Sequence, residues 1–188
     1  MNEILLFHKP KAIVVSRKDE QGRKTVYDLL PDWVFKDGWL PVGRLDRDSR
    51  GLLLFVKDPA LVEELGKPGR LSKTYEVWIR GRISNAQIQM VKEGIETTID
   101  KLRCIHAEVL RNIGPKTQLL VILDEGKNRH IRRMFGALND EARGTPLKVV
   151  DLKRTAIGTI ELDVPSGQWR FLSPEESAQL ITYRPDGT

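Results

Sequence analysis

The chain has 188 residues, 40% apolar and 30% charged, with 31 lysines and arginines against 26 carboxylates for a net charge of +5. That length supports one full core, which can divide into two lobes around a cleft, in a chain of ordinary soluble globular composition. No apolar run approaches the roughly 20 residues of a membrane span, and a single cysteine, Cys104, excludes an internal disulfide framework.

The short apolar run of MNEILLFHKP, preceded by Glu3, does not make a signal peptide. His8, His106, His130 and Cys104 lie far apart in sequence and give no zinc spacing, so a metal-free protein of a reducing cytoplasm is expected. The excess positive charge is compatible with a polyanionic partner without requiring one. Basic residues gather at 43–50, 67–73, 127–133 and 148–154. Brought together by the fold, these clusters would form one electropositive surface; kept apart, they would be solvated faces.

In chain order, EILLF (3–7) and AIVVS (12–16) read as short strands separated by the turn at Lys9-Pro10-Lys11. TVYDLL (25–30) reads as a short helix stopped by Pro31. GRLDRDSRG (43–51) holds three arginines and two aspartates, followed at once by LLLFV (52–56), a continuous apolar run suited to a strand buried on both faces. Either a salt-bridged turn or a catalytic carboxylate set among phosphate-binding cations would account for that charge pattern. Asp58-Pro59 starts a helix ended by Gly66. KTYEVWIR (73–80) alternates, with Tyr75, Val77 and Ile79 on one face and Thr74, Glu76 and Trp78 on the other.

Residues 84–94 form a helix with Ser84 as N-cap, Gln87 completing a capping box and Gly94 as the stop. TQLLVILDEG (117–126) is another buried strand, 149–162 a strand, turn and strand, and 173–181 a capped terminal helix. RPDGT, at the end, reads as a frayed tail. Asn128 is a candidate N-cap for a helix running to about Asn139, in which Ile131, Met134, Phe135 and Leu138 make one buried stripe. On that wheel Arg129 and Arg133 face solvent, and Arg132 lies at the stripe's edge, half buried and requiring an anionic or carbonyl partner; Asp46 is a candidate. Strands with intervening helices, mostly strand, give an α+β class.

No phosphate loop, dinucleotide fingerprint or nucleophile elbow is present, and Asp46 and Asp48 are too close in one turn to straddle a sugar as a glycosidase pair. Taken together and in order, however, GRLDRDSRGLLLF, KTYEV and EGKNRHIRRM resemble the RsuA-like pseudouridine synthases that modify ribosomal RNA. FHKPKAIVVS is similar to that family's first strand, and the likeness runs from about residue 4 to 172. His130 stands where family members often carry glutamine, and Arg50 where glutamate is common.

The resemblance implies a mixed, mostly antiparallel sheet with flanking helices and a central basic cleft. It implies a single catalytic domain over 1–188 without an accessory S4 domain, similar to the standalone members acting on large-subunit (23S) ribosomal RNA. It also implies the reaction, isomerisation of uridine in RNA to pseudouridine without cofactor or metal. The family's essential aspartate falls on Asp46, its tyrosine on Tyr75 and its basic residue on Arg132. Lys9, Arg44, Arg129 and Arg133 are the expected RNA contacts. The expected partner is ribosomal RNA presenting a flipped uridine, and the expected state a cytoplasmic monomer. The rival from another class is a non-catalytic RNA-binding or ribosome-assembly factor.

Overall fold

The computed structural model describes residues 3–184, which leaves Pro185–Thr188 of the tail outside the described residues. The first strand, β1, is Leu5–Lys9, followed by a 3-10 turn at Val26–Asp28, helix α1 (Asp32–Lys36), β2 (Leu40–Val42), β3 (Arg50–Val56) and α2 (Pro59–Gly66). Next come β4 (Lys73–Arg80), α3 (Asn85–Glu93), β5 (Ile95–Glu96), β6 (Lys101–Leu102), β7 (His106–Ile113), β8 (Lys116–Leu123) and α4 (His130–Gly136). The chain finishes with β9 (Lys148–Ile157), β10 (Ile160–Glu161), β11 (Trp169–Phe171) and α5 (Pro174–Thr182). The α+β class is the one the element order predicts. Two compact units divide the chain: one runs to Leu71 and resumes at Arg154, and the other is Ser72–Lys153.

In the first unit β1 lies between β11 and β3, antiparallel to both, with Leu6 opposite Arg170 and Leu54. The LLLFV run is buried throughout, because side chains alternate across the sheet and apolar layers cover both faces. Ile4, Leu6, Leu54, Leu61, Leu65 and Leu180 belong to one layer. Tyr27, packed edge-on against Phe55, belongs to the other. Helix α2 begins where Asp58 accepts from the Ala60 N–H at 2.9 Å, as Asp58-Pro59 predicts. AIVVS does not become a strand: its only pairing is an isolated bridge from Val14 to Thr25, and burial of Ile13 and Val15 accounts for its apolar residues. Neither α1 nor β2 is foreseen by the sequence reading; both are too short to establish a period.

Buried cations organise this unit. Arg70, from the basic cluster at 67–73, gives its guanidinium to the Leu180, Ile181 and Tyr183 carbonyls, two of these bonds at 2.6 Å, and so caps the end of α5. Arg154 is buried and donates from Nε to the Leu52 carbonyl at 2.7 Å. Lys9, at the end of β1, is 0% exposed. Its ammonium donates to three carbonyls, those of Pro10 (3.0 Å), Asp46 (3.1 Å) and Ser49 (2.7 Å). The three protons of an ammonium match three acceptors, which satisfies a charge that could not otherwise be buried. Burial pushes the Lys9 pKa down to about 8, against the opposing pull of Asp46 and Asp48 and with Arg154 adding to the depression.

The second unit is built on three antiparallel strands in which β8 is flanked by β4 and β7. Tyr75, Val77 and Ile79 are buried, on the face the alternation predicts. The capping box of α3 is present, with Ser84 Oγ accepting from the Gln87 N–H and the Gln87 side chain accepting from the Ser84 N–H. The stripe Ile131, Met134, Phe135 and Leu138 is buried as expected. Helix α4 itself is shorter than predicted and starts at His130. Asn128 is not its cap; Arg129 holds that position in the left-handed region at φ 48°. β7 is not foreseen, because most of its residues are exposed and show no alternation.

Two predictions follow from the packing behind β3. A Cβ on Gly51, whose φ is 117°, would collide with the backbone of Arg154, whereas one on Gly43 (φ 71°) would meet open space. Gly51→Ala should therefore cost about 3 kcal/mol or more in urea unfolding, and Gly43→Ala only about 1 kcal/mol. Equal costs would contradict the close approach. For Lys9, the unfolded chain keeps its proton to a higher pH than the folded chain does. Stability should thus rise between about pH 8 and the ordinary lysine pKa, by on the order of 3 kcal/mol. Lys9→Met should lack that rise, and parallel stability curves for the two proteins would contradict the burial of a titrating ammonium.

Candidate active site

The GRLDRDSRG segment is an anchored loop between β2 and β3. Leu45 is buried and pins its start, and Ser49, also buried, pins its end. Between them the Ser49 N–H donates to the Asp46 carbonyl at 3.0 Å, and the Arg47 carbonyl accepts from the Ala12 N–H at 2.7 Å. Ala12 pays for this contact with a left-handed φ of 67°, unusual for a residue with a Cβ. With Lys9 added, the loop's main chain is held from inside at Asp46 and at Ser49.

This arrangement separates the two carboxylates. Asp46 is half-buried and carried by the residue whose carbonyl receives both Lys9 and Ser49. Asp48 is exposed at the tip of the turn. Arg44 is exposed as well, in keeping with a surface cation. Lys9, the other cation of this unit expected at RNA, is buried, with its ammonium bonded to three carbonyls. Sequence reasoning missed this, since a lysine before a proline carries no mark of burial.

In the second unit, Tyr75 lies at the centre of β4 opposite Val121, 6% exposed, on the buried face with Val77 and Ile79. Arg132 is half-buried, as the helical wheel requires, and donates from Nη1 to the Val149 carbonyl at 3.1 Å. Arg129 is exposed and stands outside the helix as its strained first cap. The wheel therefore does not apply to it, although its exposure agrees with expectation.

Arg133 departs from expectation. Rather than a free surface cation, it is ion-paired to Asp100 at 2.6 Å and donates from Nε to the Asn128 carbonyl. The guanidinium holds the Asp100 carboxyl below its usual range, chiefly by this hydrogen bond. Lys127 also approaches Asp100, at 3.6 Å. His130, treated in the sequence only as a family departure, is buried, and its Nε2 lies 2.8 Å from the Arg103 carbonyl. Burial lowers its pKa, so the neutral ring donates there and ties the start of α4 to the segment before β7. Among the described residues no group of three His, Cys, Asp or Glu side chains is placed to hold a metal ion, and no helix is long and apolar enough to cross a membrane.

A family model described as RNA pseudouridylate synthase matches residues 3–137. Over 189 residues the chain is 31% identical to the ribosomal large subunit pseudouridine synthase B of Vibrio cholerae serotype O1, covering 97% of this chain and 56% of that protein. It is 32% identical over 195 residues to an uncharacterized RNA pseudouridine synthase of Helicobacter pylori, covering 96% of this chain and 71% of the relative. The chain thus spans little more than half the length of the Vibrio protein. Among solved structures, a pseudouridylate synthase crystal structure superposes with a TM-score of 0.78 at 26% identity, over 96% of this chain and 74% of the other. The match of sequence blocks, fold and extent has one meaning: this chain belongs to the RNA pseudouridylate synthase family.

Proposed function

We propose that the protein is an RNA pseudouridine synthase acting on ribosomal RNA, with Asp46 as its essential carboxylate. The observation that carries the reading is the Asp46 loop. A carboxylate set among Arg44, Arg47 and Arg50 repels a phosphate backbone, so a protein that only binds RNA gains nothing from it. Here its main chain is fixed by a buried ammonium and a backbone hydrogen bond, the kind of anchoring that a reacting group requires. The name of the Vibrio relative supports a large-subunit ribosomal RNA as substrate.

The reaction breaks the N1–C1′ bond of uridine and rejoins the base through C5; the C5 proton leaves and N1 regains one. To be reached, the uridine must leave its stack, which costs a few kcal/mol. Phosphate contacts from the exposed Arg44 and Arg129 offset that cost and fix the strand's path. Arg133 joins them by sharing or releasing Asp100. Asp46 acts in its ionised form. Tyr75 contributes a ring face for the uracil and a hydroxyl suited to proton removal at C5, and Arg132 is the basic residue of the reaction. The enzyme works without metal or cofactor, as a monomer in the cytoplasm. Cys104 is consistent with that setting, since its thiol is buried and its pKa pushed up to about 11, leaving it inert.

Tritium release from ribosomal RNA labelled at uridine C5 tests the assignment. Asp46→Asn should lower release by about three orders of magnitude or more, while folding and RNA affinity stay close to those of the parent. Substantial release by this variant would remove Asp46 from the chemistry. A parent protein that binds ribosomal RNA but releases no tritium would favour the assembly-factor reading.

A further inference from the structure

The second unit carries a sheet face that the proposed reaction does not use. Trp78 of β4 lies on the side opposite Tyr75, half-buried, with Gln118 of β8 as its cross-strand neighbour and Arg111 of β7 beyond. Arg111 places its guanidinium carbon 5.4 Å from the centre of the Trp78 ring, and its Nε–H donates to Gln118 Oε1 at 2.6 Å. One row further along, Arg80 faces Lys116 directly across the β4–β8 pair.

Three features set this face apart from an ordinary solvated sheet face. The first is a β-bulge. Val109 pairs with Leu119, but the next pair is Arg111 with Gln118, so Leu110 is inserted and left out of the ladder. In a regular ladder Leu110 would stand opposite Gln118; the bulge instead puts Arg111 on the Trp78 face. The second is the Arg80–Lys116 pair, since like charges directly opposite each other destabilise a sheet.

The third is the lack of counter-ions. Several other arginines are paired with carboxylates, as in Arg23–Asp19, Arg103–Asp124, Arg133–Asp100 and Arg170–Glu176. Arg80, Arg111 and Lys116 are exposed and make no salt bridge among the described residues. A fourth cation, Arg82, stiffens the hairpin tip by donating to the Gly114 and Lys116 carbonyls and to the side chains of Asn112 and Thr117. Local rules broken together on one exposed face point to a functional surface.

We propose that this face of β4–β8–β7 binds single-stranded RNA: a base stacks at Trp78, and Arg80, Arg111 and Lys116 take the flanking phosphates. An aromatic ring on a sheet, bordered by unpaired cations, is the chemistry that recognises an unstacked strand. The cations select an anionic partner over a neutral one, and the Trp78 ring among them selects a polyanion that carries stackable bases over an acidic protein. The inference rests on the reading of the protein as an RNA enzyme and adds to it an anchoring surface, carried by the second unit, for RNA other than the modified uridine.

Fluorescence anisotropy with a labelled oligouridine of about 12 nucleotides tests this. Arg111→Glu/Lys116→Glu should weaken binding about tenfold or more at low salt. It should also flatten the salt dependence, by roughly 0.7 in log–log slope for each lost phosphate contact. Trp78→Ala should weaken binding by about 5- to 100-fold, and Trp78→Phe should restore most of it. Thermal melts identify any variant that fails to fold, and the two charge reversals, on exposed positions, supply a folded comparison. Parent-like affinity and slope in both Trp78→Ala and the double reversal would overturn the proposal. So would a change confined to self-association of the protein. If the parent releases no tritium yet the double reversal loses oligouridine binding, the surface stands and the enzymatic reading falls. If the parent is active and both variants bind and act normally, the surface alone falls.

Discussion

One buried ammonium sets the geometry on which the proposed chemistry depends. Lys9 closes β1 and reaches under the next loop to hold the carbonyls of Asp46 and Ser49. Enclosing a lysine is costly, as its depressed pKa of about 8 shows, and only a full set of three acceptors makes it tolerable. The same donors give the loop a single path, so the main chain that carries the Asp46 carboxylate is fixed in a surface turn of mixed charge. Gly51 completes the arrangement on the other side, where the backbone of Arg154 leaves no room for a side chain.

Basic residues serve two purposes in this chain. Lys9, Arg70 and Arg154 are interior donors to carbonyls of a loop, a helix end and a buried strand. Arg44 and Arg129 are exposed cations, together with Arg80, Arg111 and Lys116 on the sheet face. Arg133 stands between the groups, outward-facing but already engaged by Asp100. Net charge therefore overstates the surface available to RNA, and the clusters at 67–73 and 148–154 contribute less of it than their sequence suggests.

Much of the fold is legible in the sequence wherever a local rule decides the outcome. Asp58-Pro59, the Ser84/Gln87 box and the capped terminal helix all mark real helix starts, because caps satisfy orphan donors within one turn. The alternation of KTYEVWIR and the run LLLFV identify β4 and β3 from burial alone. Tertiary contacts decide the rest. AIVVS has strand composition but makes only an isolated bridge among the described residues, and β7 has a ladder without an apolar face. Arg129 enters a left-handed conformation that no propensity predicts.

The candidate site divides the same way. Ordered sequence blocks single out Asp46, Tyr75 and Arg132, and the half-buried state of Arg132 follows from its helical wheel. The burial of Lys9 and the pairing of Arg133 depend on residues about 30 to 40 positions away, where no spacing rule reaches. His130 likewise needs the Arg103 carbonyl before its role as an anchor is visible. The most direct test of the central claim is a pseudouridine map of ribosomal RNA from cells with the gene intact, deleted, or replaced by Asp46→Asn. A site lost on deletion, restored by the parent gene and absent with Asp46→Asn is the predicted result; identical maps, or restoration by Asp46→Asn, would contradict it.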